Sequence, residues 1–268
     1  VYQAEMPGAT EDHLRGGEGA EACSGEAIRA IFADTDDRKP FTHATALILG
    51  GTTEASRLAA AMAKARLPAV LSYAGRTLVP RAQPVSVRIG GFGGVDGLTE
   101  YLVRERIGRV IDATHPFAAG ISRNARAACD RTGTPLLRLE RPGWMPGAGD
   151  RWVSVPDMAA AAAALSGARR HVFLAIGRQN LDAFAGLPQH HYLLRLVDPP
   201  VMPPPFPDFS TVIGRGPFDP AEERVLLERH GIDIIVTKNA GGEGAEAKLC
   251  AARLLGLPVL MIDGPQRG

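Results

Sequence analysis

The residues best placed to do chemistry begin with Gly50-Gly51-Thr52-Thr53-Glu54, directly behind the apolar run Ala46-Leu47-Ile48-Leu49. A short apolar run predicts a buried parallel strand. Neither glycine carries a Cβ, so the backbone can turn tightly and lie close to a ligand. Thr52 or Thr53 is placed to cap a helix, with Glu54 in its first turn at the positive end of the dipole. Strand, glycine turn and helix N-terminus together make an anion site, where backbone N–H groups meet a phosphate. The pattern falls short of a full G-x-G-x-x-G, so an ordinary βα turn accounts for it equally well. A second strand, Ala69–Tyr73, ends in Ala74-Gly75-Arg76. In doubly wound nucleotide folds that strand end meets the adenosine ribose, where an acid favours NAD and Ser or Arg suits a 2′-phosphate. Ser72 and Arg76 stand there with no acid, which leans toward NADP; without the first glycine turn a solvated loop would be the better account of Arg76.

A third strand, Val85–Ile89, alternates and runs into Gly90-Gly91-Phe92-Gly93-Gly94. That glycine density lets backbone lie against a ligand, or simply makes a flexible loop. A helix is predicted over Val95–Arg106, then a fourth strand, Arg109–Ala113, with Thr114-His115-Pro116 behind it. Open α/β sheets bind ligands beyond the carboxyl ends of their strands, and Pro116 fits the first turn of the next helix. His115 has three roles open to it: proton donor, hydrogen-bond anchor for a nicotinamide amide, or helix cap. Ser122 and Asn124 follow on the same helix, and Pro135–Leu139 is a fifth strand.

The elements that must position these residues repeat as β then α. They predict an α/β fold of two Rossmann-like lobes with mainly parallel sheets and a ligand cleft between them. The first lobe covers 44–140, a Pro- and Gly-dense linker 141–151, and the second lobe 152–268. In the second, strands at Trp152–Val155, His171–Ile176, His191–Val197, Thr211–Ile213, Ile232–Val236 and Pro258–Met261 alternate with helices capped by Asp157 and Asp219, and with one over Gly244–Leu255. The Pro-rich stretch 199–207 predicts extended chain. Residues 1–43, rich in Gly, Glu, Asp and Ala, predict a flexible extension in which Ile28, Ile31 and Phe32 could form one helical turn.

Composition narrows the function classes. Hydrophobic residues are 45% and charged residues 22% of 268, with a formal net charge of +1. A near-neutral balance points to no nucleic acid or anionic membrane as partner. No apolar stretch approaches membrane-spanning length, and a cytoplasmic location and a monomer are expected. Cys23, Cys129 and Cys250 have no metal-ligand spacing, so no metal site and a reducing compartment are expected.

Five motifs, in order, are LGGTTEASRLA, DATHPFAAGISRNA, AIGRQNL, GRGPFDPAEE and VTKNAGGEGAEAKLCAARLLGLPVLMI. Together they resemble the precorrin-6A reductase family of cobalamin biosynthesis, over about 46–263. The resemblance implies an NADPH-dependent reduction of one double bond of a polycarboxylated tetrapyrrole, precorrin-6A, to precorrin-6B. It implies that Gly50, Gly51, Thr52, Thr53, Glu54, Ser72, Arg76, Gly91, Thr114, His115 and Pro116 bind the cofactor. The tetrapyrrole would be bound by Ser122, Asn124, Arg178, Arg215, Lys238, Asn239, Gly241, Gly242 and Lys248, since guanidinium and ammonium groups suit carboxylates. His115 and Lys238 are the protein's candidates for the proton that accompanies hydride transfer, with solvent a third source. Two other readings stay open: another two-lobed nucleotide-dependent enzyme such as a nucleotide-sugar transferase, or a non-catalytic nucleotide-sensing module. A short-chain dehydrogenase is disfavoured because none of Tyr73, Tyr101 and Tyr192 has a Lys four residues later.

Overall fold

The computed structural model describes residues 44–75, 81–139 and 141–264. The predicted extension over 1–43, its possible helical turn, and Arg76 lie outside the described residues. The chain divides into two compact units, the first ending at Arg141 and the second beginning at Pro142.

In the first unit the strands are β1 (Thr45–Leu49), β2 (Ala69–Tyr73), β3 (Ser86–Ile89), β4 (Ile107–Asp112) and β5 (Leu136–Arg138). They form one sheet in the order β3-β2-β1-β4-β5, and all its pairs are parallel. Helices α1 (Thr53–Lys64), α2 (Gly94–Arg104) and α3 (Ala119–Thr132) cover it. Successive residues of a strand face opposite sides, and β1 uses this fully. Ala46 and Ile48 join Ala55, Ala59 and Met62 of α1 in one core, while Leu47 and Leu49 join Leu98, Leu102, Ala125 and Ala128 of α2 and α3 in the other. Each fully buried Leu or Ile contributes about 1.5–3 kcal/mol over leaving it in water, so two-sided burial anchors β1 at the centre. The order reverses between β1 and β4, and the crevice beyond their carboxyl ends is where such a sheet receives a ligand.

Two local expectations differ. The helix predicted to start at Pro116 starts at Ala119. The intervening turn is closed by His115, whose carbonyl accepts the Ala118 N–H at 2.8 Å and whose Nδ1 accepts the Phe117 N–H at 3.2 Å. In β3 the apolar side is the exposed one: Val87 and Ile89 are 41% and 57% exposed. Arg88 turns inward instead, with its guanidinium carbon 3.8 Å from the Phe92 ring centroid.

The second unit holds β6 (Arg151–Val155), β7 (His171–Ala175), β8 (His191–Leu196), β9 (Phe209–Ile213), β10 (Ile234–Lys238) and β11 (Pro258–Ile262). The order is β6-β11-β10-β7-β8-β9, again parallel throughout. Phe173, Leu193, Ile235, Val259 and Met261 pack on α5 (Pro220–Arg229) and α6 (Ala247–Leu255) through Leu227, Leu249, Ala251 and Ala252. Helix α4 (Met158–Ala164) is capped by Asp157, and α5 by Asp219, as expected. After β7 the chain forms a 3-10 helix, Arg178–Phe184, in place of an α-helix. Its buried residues Leu181 and Phe184 are three apart, the 3-10 repeat. The helix predicted from Gly244 is likewise split into a 3-10 turn, Glu243–Ala245, and α6. Strand β10 starts two residues later than predicted and includes Thr237 and Lys238.

Candidate functional site

In the first unit the glycine turn is built by its neighbours. Gly50 donates to the Ser72 carbonyl at 3.0 Å, and a Cβ on it would meet Leu71 Cδ1 at 2.5 Å. Gly51 has φ +118°, and nothing lies within 4 Å of where its Cβ would stand. The turn therefore excludes side chains by conformation and leaves open space for a ligand phosphate. Thr52 is the helix cap: its Oγ1 accepts the Ala55 N–H at 3.1 Å and donates to the Ala113 carbonyl at 2.7 Å. One hydroxyl thus ties the start of α1 to the end of β4. Thr53 and Glu54 open the helix, where the first N–H groups have no intrahelical partner. The Glu54 carboxylate forms an ion pair with Arg141, both side chains nearly buried. That pairing neutralises a negative charge that would otherwise oppose an anion at the helix start.

A single row of residues crosses the sheet at its carboxyl end. Arg88 pairs with Ser72, Ser72 with Leu49, Leu49 with Asp112 and Asp112 with Arg138. Asp112 is 2% exposed. Its Oδ1 accepts the Thr114 N–H at 3.1 Å and the Thr114 hydroxyl at 2.6 Å, and its Oδ2 lies 4.0 Å from Arg138 Nε. Thr114 Oγ1 is 3.5 Å from Ser122 Oγ. Asn124 is half-buried two residues further along the helix and Pro116 is half-buried in the turn before it. Because His115 Nδ1 accepts a backbone N–H, the neutral ring carries its proton on Nε2. Ser72 is buried, with its hydroxyl 3.4 Å from Arg88 Nη1. Gly91 accepts from Arg88 Nη2 at 2.7 Å.

In the second unit the order reverses between β7 and β10. Arg178 follows β7, and Lys238-Asn239-Ala240-Gly241-Gly242 end and follow β10, so the fold gathers these at one switch point. Arg178 is exposed and Lys238 half-buried. Arg215 lies beyond the edge strand β9 and is exposed, 3.9 Å from Asp198.

Asn239, Gly241 and Lys248, expected to contact the macrocycle, are tied to the segment 142–144 or to the loop beside it. Asn239 Oδ1 accepts the Trp144 N–H at 2.7 Å and Nδ2 donates to the Trp144 carbonyl at 3.1 Å. Gly241 is buried with φ +63°, and a Cβ there would stand 2.0 Å from the Pro142 carbonyl oxygen. Lys248 is 5% exposed. Its ammonium donates to the Ala245 carbonyl and sits 4.9 Å from the Trp144 ring centroid. Burial pushes the Lys248 amine down to about 8, against the opposing pull of Glu223. Instead of an exposed carboxylate clamp, Lys248 lies beneath the loop that Asn239 and Gly241 shape. Close by, Arg195 and Glu223 form a buried ion pair at 2.6 Å, with Arg195 stacked 4.1 Å over Phe218.

Sequence reasoning did not single out Asp112, Arg88, Arg195 or Glu223. Asp112 had a readable signal, an Asp two residues before Thr at a strand end, the spacing of an Asx turn. Among the described residues no group of three or more His, Cys, Asp or Glu could hold a metal ion, and no helix is long and apolar enough to cross a membrane.

The family model described as "Precorrin-6x reductase CbiJ/CobK" matches residues 45–268. The chain is 61% identical over 219 residues to a precorrin-6A reductase of Rhodobacter capsulatus, covering 82% of this chain and 87% of that protein. It is 50% identical over 218 residues to a precorrin-6A reductase of a Sinorhizobium species, covering 81% and 84%. A solved structure described as CobK precorrin-6A reductase superposes with a TM-score of 0.82 at 59% identity, covering 84% of this chain and 90% of that one.

Proposed function

This chain belongs to the precorrin-6x reductase CbiJ/CobK family, and from that premise we propose that it reduces precorrin-6A to precorrin-6B in cobalamin biosynthesis, with NADPH as the donor. When bound, NADPH supplies a hydride, and one proton completes the reduction of the double bond. The first unit would hold the cofactor. Gly51, Thr52 and Thr53 would offer backbone N–H groups, and Gly50 and Gly51 close approach, to the pyrophosphate, with Glu54 held neutralised by Arg141. Ser72 and Arg76 are proposed to face the ribose, and Gly91, Thr114, His115 and Pro116 to flank the nicotinamide end.

The second unit would hold the macrocycle. Arg178, Arg215 and Lys238 are proposed to meet its carboxylates, and Asn239, Gly241, Gly242 and Lys248 to keep the loop that presents them in shape. Ser122 and Asn124 are proposed as further polar contacts to the substrate. His115, whose Nδ1 accepts the Phe117 N–H, would present Nε2–H as a hydrogen-bond donor, and would give up a proton only as the imidazolium, which requires that Nδ1 contact to open; Lys238 is the other candidate.

The observation that carries the reading is the glycine turn at the β1–β4 switch point: open space at Gly51, a capped helix start, and no acid at the end of β2. The experiment is nicotinamide absorbance with purified protein, with and without precorrin-6A, and NADH run in parallel. Oxidation of NADPH only when the tetrapyrrole is present, and faster than that of NADH, supports the proposal. Binding without oxidation favours a nucleotide-sensing module, and no binding overturns the reading of the glycine turn.

A further inference from the structure

The end of β2 is one strand away from a cation that the sequence pattern hides. Arg88 is the register partner of Ser72. Its Nη1 donates to the Gly90 carbonyl at 2.5 Å and lies 3.4 Å from Ser72 Oγ, and its Nη2 donates to the Gly91 carbonyl at 2.7 Å. The guanidinium carbon sits 3.8 Å from the Phe92 centroid and 5.3 Å from that of Tyr101. Those two rings meet edge to face at 5.2 Å. A guanidinium has five N–H donors in one plane. The three contacts above use three of them, which leaves Nε–H and one Nη2–H. Among the described residues no carboxylate pairs with Arg88. Its positive charge is balanced only by carbonyl dipoles and ring faces, and its side chain is already fixed in place.

We propose that Arg88 is the specificity-determining residue for the cofactor's ribose 2′-phosphate, with the Ser72 hydroxyl as its companion. The proposal rests on the reading that the first unit binds NADPH. A 2′-phosphate is a dianionic acceptor next to the position where dinucleotide folds place the adenosine ribose, and charge-assisted Arg–phosphate bonds are strong and directional. A preorganised guanidinium loses little side-chain entropy on binding, unlike a mobile one. The same charge gives nothing to NADH, whose 2′-hydroxyl is neutral. Arg88 touches neither the nicotinamide nor the tetrapyrrole in this scheme, so its effect is on binding rather than on chemistry.

The test is calorimetric titration of the full chain with NADP+ and NAD+, for the wild type, Arg88→Ala and Arg88→Lys. The wild type is expected to prefer NADP+. Arg88→Ala should weaken NADP+ about 30-fold, from the loss of charge-assisted hydrogen bonds, and leave NAD+ within about 3-fold. Arg88→Lys keeps the charge without the fork and should fall between the two. Equal weakening of both nucleotides would mean that Arg88 only holds the Gly90-Gly91 loop, and no change in either would also overturn the inference. A wild type with no preference for NADP+ is a different failure, of the NADPH reading itself. Circular dichroism identifies a variant that has not folded, and Arg88→Lys then carries the decision.

Discussion

Asn239 and Trp144 are joined by a two-point contact: the side-chain amide of one accepts from and donates to the backbone of the other, at 2.7 and 3.1 Å. The indole Nε1 adds a third bond, to the Gly242 carbonyl at 3.1 Å. Segment 142–144 and the loop after β10 are therefore one structural piece, although they are nearly a hundred residues apart in sequence.

Removing the amide should loosen that piece. Asn239→Ala leaves a half-buried donor and acceptor on Trp144 unsatisfied, at about 1–3 kcal/mol. Urea unfolding should show a lower midpoint, and Trp144 fluorescence should shift to the red in the folded state. NADP+ affinity should be unchanged, because both residues belong to the second unit.

Gly241→Ala tests the close approach itself. A left-handed φ and a Cβ 2.0 Å from a carbonyl oxygen cannot both be accommodated without moving the segment. The strain should cost about 1–3 kcal/mol or more. The KM for the tetrapyrrole is expected to rise while NADPH binding is retained.

Lys248 gives stability a particular pH dependence. Its amine is lowered from 10.5 to about 8 in the folded protein, mainly by burial. The unfolded chain therefore binds more protons between these values, and stability rises with pH across that window. Below about pH 8 the cost is present in full, about 3 kcal/mol by linkage. Unfolding free energies from pH 7 to 10.5 should climb more steeply for the wild type than for Lys248→Met. Comparing the two chains removes the opposing contribution of Tyr192 and Cys129, both pushed up to about 12 by burial. A matching slope in both would reject the buried-amine account.

The Glu54–Arg141 pair predicts a rescue. Arg141→Gln leaves the Glu54 carboxylate uncompensated at the start of α1, where a phosphate is proposed to bind. NADP+ affinity should drop about 10-fold, the size of one nearby charge contact. Adding Glu54→Gln should restore most of it. A double variant as weak as the single one would show that Arg141 acts in some other way.

For His115, Gln keeps hydrogen-bonding capacity without the titratable proton. If His115 donates the proton, kcat should fall about 10²–10⁴-fold with little change in the KM for NADPH. Loss of cofactor affinity with kcat preserved would point to the anchoring role instead.

Much of this architecture was legible because it is local. Short apolar runs identified the strands, about half of them ending in glycine, and Asp157, Asp219 and Thr52 identified helix starts. The misses have one physical origin. Alternation in Val85–Ile89 does not say which face is covered: Val85 packs on the first core, Val87 and Ile89 are exposed, and the pairing with Ser72 sets Arg88 on the face of Leu49. Register is a property of two strands, and no single strand encodes it. Asn239, Gly241 and Lys248 looked like ligand contacts for the same reason: the partners that occupy them, Trp144 and Pro142, come from a distant segment. Within each unit the strand ends beside the switch point carry expected site residues, Gly50 and Thr114 in the first and Arg178 and Lys238 in the second, whereas Arg215 stands beyond the edge strand β9.

The strand order of the second unit also sets a timetable for synthesis. The first sheet uses only strands made before Arg141, so its core can close while the ribosome is still at work. The second cannot, because among the described residues β6, the first strand of this sheet to be made, pairs only with β11, the last of them, and β11 inserts between β6 and β10. Until Pro258–Ile262 has left the ribosome, β6 has no neighbour and β10 presents a bare edge. Nascent chains stalled just before that point should carry a protease-resistant first half and a chaperone-dependent second.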